Sequence, residues 1–194
     1  MLPFKSRKDL TKYEKTALMC YRDLEYPQHT WSYKLRNNRP NTDCDIINGY
    51  LRGTIAKTKF KVKELRALKS LIRAITRAIN KSIVSSNFTV YKGVSYFPEL
   101  KNYIKNKRVV DKAFNSFTTS SKKALEYSGK NKNGESIIFA LQLNKGDKAV
   151  FIDNKEKEWL IQKHSCYQVM EIRHLKKSKI WGKAIIYYLK LIIR

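Results

Sequence analysis

The chain is 194 residues long and carries 41 Lys and Arg against 16 Asp and Glu, a formal net charge of +25. That length suits one domain with its own core, and 42% hydrophobic with 12% aromatic residues excludes a disordered polyelectrolyte. The charge predicts non-specific attraction to polyanions and acidic surfaces, strongest at low salt, and says nothing about chemistry.

Cys20, Cys44 and Cys166 are odd in number and lack paired spacing, and His29, His164 and His174 form no ligand pattern with them. Neither a disulfide framework nor a metal site is expected. The stretch Met1-Leu2-Pro3-Phe4-Lys5 has no apolar signal core, and no uncharged run approaches membrane-spanning length. The expectation is a cytoplasmic protein without a membrane partner, kept monomeric by its own charge.

In chain order, Arg7 to Tyr21 suits a helix with Leu10, Tyr13, Ala17 and Tyr21 near one face. Pro27, and Arg36 to Asn41 with Pro40, read as irregular connection. Thr42 or Asn41 can cap a second helix carrying Ile46, Ile47, Tyr50 and Leu51. From Val62 to Lys81 the helical period is strong: Leu65, Leu68, Leu71, Ile72, Ile75 and Ile79 share a face, opposite Lys63, Arg66, Lys69, Arg73 and Arg77. After Asn87 the pattern turns to strands: Phe88 to Tyr91 closed by Gly93, Phe114 to Thr119, Ser136 to Leu143, Ala149 to Ile152, Trp159 to Ile161, Tyr167 to Ile172 and Ala184 to Ile193. Short helices are expected over Pro98 to Asn106 and after a cap at Ser120 or Ser121, and Asn144 to Asp147 reads as a hairpin-like turn. Helices first and strands later define an α+β fold in one domain over 1–194, with a helical lobe over 1–86 and a β-rich core over 87–194.

Glu156 and Glu158 stand two apart where acidic residues are scarce. Continuing the strand of Trp159 back to them would put both on one side, because strand side chains alternate. Paired carboxylates suit general-base work or binding of a sugar hydroxyl and a cation. A solvated strand start is the bland alternative.

Three stretches in order change that balance. Val90-Tyr91-Lys92-Gly93 ends one strand, Phe117-Thr118-Thr119-Ser120-Ser121 ends another before a helix, and Glu156-Lys157-Glu158 opens a third. The chain thereby resembles the arginine-directed mono-ADP-ribosyltransferases of the bacterial-toxin and phage type, whose signature is a strand-end arginine, a Ser-Thr-Ser strand and Glu-x-Glu. Ile47 to Gly53 resembles that family's N-terminal helical lobe. The resemblance implies a mostly antiparallel two-sheet core and NAD as donor substrate, with ADP-ribose passed to a protein side chain, arginine by the Glu-x-Glu, and nicotinamide released.

By analogy, Glu158 is the carboxylate that stabilises the oxocarbenium-like ribose, and Glu156 orients or deprotonates the acceptor guanidinium. Thr119, Ser120 and Ser121 take the Ser-Thr-Ser positions, with Thr119 beside the catalytic glutamate. Gly93 admits the nicotinamide amide, and Lys130 and Lys132 of the loop from Gly129 to Gly134 neutralise the phosphates. The turn from Asp153 to Lys155 recognises the acceptor. The family's arginine falls on Lys92, which keeps the charge but loses the planar fork; Arg52 is a candidate substitute for it. The resemblance also implies delivery into a host cytoplasm as an alternative to a resident protein, and the charge suggests a nucleic-acid-associated target such as the ribosome or RNA polymerase. The competing expectations are a basic nucleic-acid-binding or NAD-binding protein without transferase activity, and an NAD glycohydrolase.

Overall fold

The computed structural model describes residues 9–22, 31, 42–94, 98–153 and 155–192. The irregular connection expected around Pro27 and from Arg36 to Asn41 lies outside them, as do Asn154 and Ile193.

Among the described residues, three α-helices form the N-terminal lobe: α1 (Lys12–Arg22), α2 (Asp43–Arg52) and α3 (Val62–Lys81). Thr42 caps α2 by accepting the Asp45 N–H, and Gly53 ends it in the left-handed conformation at φ 79°. Helix α3 runs over the residues its period predicts and buries Leu68, Leu71, Ile72, Ile75 and Ile79. Glu14 of α1 ties the lobe together, meeting Lys81 at 2.9 Å and Arg77 at 3.9 Å.

Eight strands follow among the described residues: β1 (Phe88–Val94), β2 (Arg108–Asp111), β3 (Asn115–Thr118), β4 (Ser136–Leu143), β5 (Ala149–Asp153), β6 (Glu158–Ile161), β7 (Ser165–Leu175) and β8 (Ala184–Ile192). A six-residue helix, α4 (Ser121–Glu126), follows β3. The strand order is β2-β7-β8-β4-β1-β3-β6-β5, antiparallel except for the parallel β4–β8 pair. β1 and β3 share the single register pair Tyr91↔Thr118. The sheet therefore divides there into a five-strand and a three-strand half, as the expected two-sheet α+β core requires.

Alternation along β6 explains the layers. Leu160 joins Val150, Ile152 and Phe114 in the core under the helices, while Trp159 and Ile161 face the larger half with Val90, Phe117, Phe139 and Tyr167. The three-strand half is thus sandwiched between the helical lobe and the five-strand half.

Several expectations need correction. Asn144 to Asp147 is a turn but no hairpin, because β4 pairs with β1 and β8 whereas β5 pairs with β6. The turn is held by the segment after α3: Gly146 N–H donates to Val84 O, and Val84 N–H to Asp147 O. Pro98–Asn102 is a 3-10 helix, shorter than the helix expected to Asn106. The strand β2 went unforeseen, since four residues with two charges carry little pattern. Gly93 lies inside β1, paired with Ile138, and does not close it.

Candidate active site

Glu158 opens β6, paired with Thr118 on one side and Asp153 on the other. The same alternation that buries Leu160 under the lobe turns Glu158 toward α1 and α2. Burial pushes its carboxyl above the ordinary value of 4.5, with the charges of Asp153 and Glu156 adding; a Ser116 hydroxyl bond and Arg22 act in the opposite sense.

Glu156 does not lie on the strand. It sits in the preceding turn, where Lys157 adopts φ 50°, so the period-two argument fails and turn geometry brings the two carboxylates near each other instead. Three bonds fix that turn. The Glu156 N–H donates to Asp153 Oδ2 at 2.9 Å, Thr118 Oγ1 donates to the Glu156 carbonyl at 2.7 Å, and the Thr119 N–H donates to the Lys157 carbonyl at 3.2 Å. Asp153 is in turn paired with Arg22 of α1 at 3.6 Å. The Glu156 carboxylate itself faces Lys123 of α4, Nζ to Oε1 3.5 Å.

The hydroxyl stretch divides its labour. Thr119 is exposed, and the buried hydroxyl residue against the glutamate turn is Thr118, which also accepts the Ser120 N–H at 2.9 Å. Ser120 caps α4, accepting from Lys123 N–H at 3.3 Å, and Ser121 begins that helix. Thr118 and Ser116, two apart on the glutamate-facing side of β3, are the residues that sequence reasoning missed. Strand alternation counted back from Thr118 was the available signal.

Lys92 is half-buried and donates to Asn115 Oδ1 at 2.8 Å, with its Nζ 5.8 Å from the centre of the Phe117 ring. Burial lowers its pKa; Asp111 opposes that and Arg52 reinforces it. Arg52, exposed at the end of α2, makes a two-pronged pair with Asp111, Nε to Oδ1 3.3 Å and Nη2 to Oδ2 3.2 Å. Burial would raise the Asp111 carboxyl, but bonds from Arg52 and the Ala113 N–H, with the charge of Lys92, hold it below the usual range. Arg52 and Lys92 therefore share one carboxylate. Within this group Lys92 feels the Glu158 charge as well.

Behind the site, Asn48 Nδ2 donates to Tyr21 OH at 2.8 Å and Tyr21 OH to Phe114 O at 3.4 Å, while Asn48 Oδ1 is buried without a partner. Cys44 is beside them, its thiol pushed up to about 12 chiefly by burial, so it is an inert packing thiol.

Gly93 serves α4. An added Cβ would stand 1.9 Å from Ala124 O and 2.5 Å from Ser128 N. Lys130 and Lys132 line a groove of about 400 Å³ with Leu100, Ile137 and Tyr187. A second groove, about 440 Å³, lies on the back of the sheet around Tyr91, Trp181 and Tyr188; its lining includes neither glutamate nor Lys92. Among the described residues no cluster of His, Cys, Asp and Glu could hold a metal ion, and no helix is long and apolar enough to cross a membrane.

A split, mostly antiparallel sheet under a helical lobe, with a largely buried glutamate at a strand mouth, is the arrangement shared with the ADP-ribosyltransferase fold. The model of the ADP-ribosyltransferase exoenzyme family matches residues 40–187, and the chain belongs to that family of enzymes. Solved structures agree. Vis toxin, an ADP-ribosyltransferase from Vibrio splendidus, superposes with TM-score 0.66 at 19% identity over 95% of this chain and 75% of its own. Plx2a, an ADP-ribosyltransferase toxin from Paenibacillus larvae, gives 0.65 at 14% over 95% and 88%. C3stau2 from S. aureus, solved with NAD, gives 0.62 at 17% over 96% and 89%. Such identities establish the fold alone. No protein of curated function matches the chain by sequence.

Proposed function

We propose that the protein transfers a single ADP-ribose from NAD to an arginine side chain of a protein acceptor. The observation that carries this reading is the pair of carboxylates: Glu158 held under the lobe beside a Ser116 hydroxyl, and Glu156 presented on a turn stitched to β3. Arg52 and Lys92 supply two positive charges for the NAD phosphates, and Asp111 holds them in place until the phosphates compete for them.

In the reaction the bond from the ribose C1 to the nicotinamide nitrogen breaks, and nicotinamide leaves neutral with the bonding pair. Glu158 stabilises the positive charge that develops on the ribose. A guanidine nitrogen of the acceptor bonds to C1 and gives up a proton, for which Glu156 is the base. A guanidinium is a poor nucleophile while charged, so a second carboxylate at the acceptor side is what an arginine acceptor needs. Vis toxin has been solved in complex with agmatine, a small guanidine, which makes agmatine the natural first acceptor to try.

The test is labelled NAD with agmatine or cell lysate. Glu156→Gln is expected to abolish labelling of guanidine acceptors, by about 10²-fold or more, while retaining nicotinamide release to water. Labelling that survives Glu156→Gln, or that maps to residues other than arginine, contradicts the arginine reading. Nicotinamide release without any labelled acceptor points to a glycohydrolase.

A further inference from the structure

Lys123 occupies the acceptor side of Glu156. It projects from α4, whose start is fixed by the Ser120 cap, and its ammonium bridges two carboxylates, Glu126 Oε2 at 3.0 Å and Glu156 Oε1 at 3.5 Å. Tyr127, one helical turn on and exposed, also has its phenol within the field of Glu156 and in hydrogen-bonding reach of it. The carboxylate assigned to the acceptor is therefore already paired with a cation of the protein's own. A protonated amine on that oxygen fills a place that a substrate guanidinium needs.

We propose that Lys123 is a resident cation on Glu156, displaced by the incoming guanidinium, and so a determinant of acceptor affinity and of restraint in the absence of acceptor. The proposal rests on the arginine-transfer reading above. Glu126 is the second half of the device: it already holds the ammonium at 3.0 Å, so Lys123 can release Glu156 without leaving its charge unpaired. Both carboxylates and the lysine are part-exposed, so the pair is weak enough to be exchanged at thermal cost.

Steady-state kinetics with agmatine and NAD test this. Lys123→Met is expected to lower the KM for agmatine about two- to fivefold, with the KM for NAD unchanged. Glu126→Gln, which leaves Lys123 to Glu156 alone, is expected to raise the agmatine KM by a similar factor. A simple loosening of α4 would move both variants in the same direction and would disturb the NAD KM. An agmatine KM that is unchanged or higher in Lys123→Met, or shifts of equal sign in the two variants, overturns the proposal. Wild-type protein that releases nicotinamide but modifies no guanidine overturns the arginine reading first, and this one with it.

Discussion

At the scale of single residues, position 92 carries the most unusual choice. A lysine stands where the resemblance places an arginine, yet it is built in: it bonds Asn115 and lies over Phe117. Its ammonium is a point charge rather than a bidentate fork; the guanidinium fork in this group belongs to Arg52, engaged two-pronged with Asp111. Lys92→Ala is accordingly expected to raise the Kd for NAD about tenfold and to lower stability by about 1–3 kcal/mol, because Asn115 Oδ1 loses its donor in a buried place. Fluorescence-monitored NAD titration and urea unfolding would check the two halves separately. The identity of position 92 was legible in the sequence; its partner Asn115 was not, because a side-chain bond across strands depends on register, which no local pattern specifies.

At the scale of elements, the site depends on how closely α4 approaches β1. Gly93 permits that approach, with Ala124 O and Ser128 N where a side chain would otherwise be. The Ser120 cap and the Thr118 hydroxyl then link the start of α4 to the glutamate turn. Gly93→Ala should push α4 off the sheet, costing about 1–3 kcal/mol, and should impair acceptor use together with stability. A variant with an unchanged urea midpoint would show that α4 is not seated as described.

Elements of this kind were unequally readable. α3 announced itself over its full length because a twenty-residue amphipathic period is self-consistent. β4 was equally plain as a continuous apolar run bounded by polar residues. The glutamate turn was not readable, since Lys157 at φ 50° breaks the alternation that would have placed Glu156 on the strand. The one-residue difference between Thr119 and Thr118 has the same origin: in Thr-Thr-Ser-Ser every neighbour is a hydroxyl, and only the pairing Thr118↔Glu158 distinguishes them.

At the scale of the whole molecule, the charge of +25 is distributed over a chain whose site glutamates are among only 16 acidic residues. The outer face of α3 alone presents Lys63, Arg66, Lys69, Arg73 and Arg77. Such a surface accelerates encounter with polyanion-bearing targets and loses that advantage as counterions accumulate. Binding to heparin or RNA is expected to weaken about 10³-fold or more between 50 and 200 mM salt if six or more phosphates are contacted, whereas nicotinamide release from NAD should change far less. A salt-independent association with nucleic acid would mean a specific interface in place of a diffuse field. The fold class and the split into lobe and core were readable at this scale, because composition changes from helical period to β-branched runs near Asn87. The layering was not, since it follows from which strands pair across the β1–β3 junction.

Nicotinamide release from NAD by the wild-type protein and Glu158→Gln, followed across pH, tests the role of Glu158. Burial and neighbouring carboxylates raise the Glu158 pKa, so the wild-type rate should fall as pH decreases through a value above 4.5, where the carboxylate is neutralised. Glu158→Gln should lose about 10²- to 10³-fold in rate and unfold at no lower temperature at neutral pH, since a buried charge is removed with the shape retained. Full nicotinamide release by the folded Glu158→Gln protein would mean that Glu158 is not the carboxylate that stabilises the ribose cation.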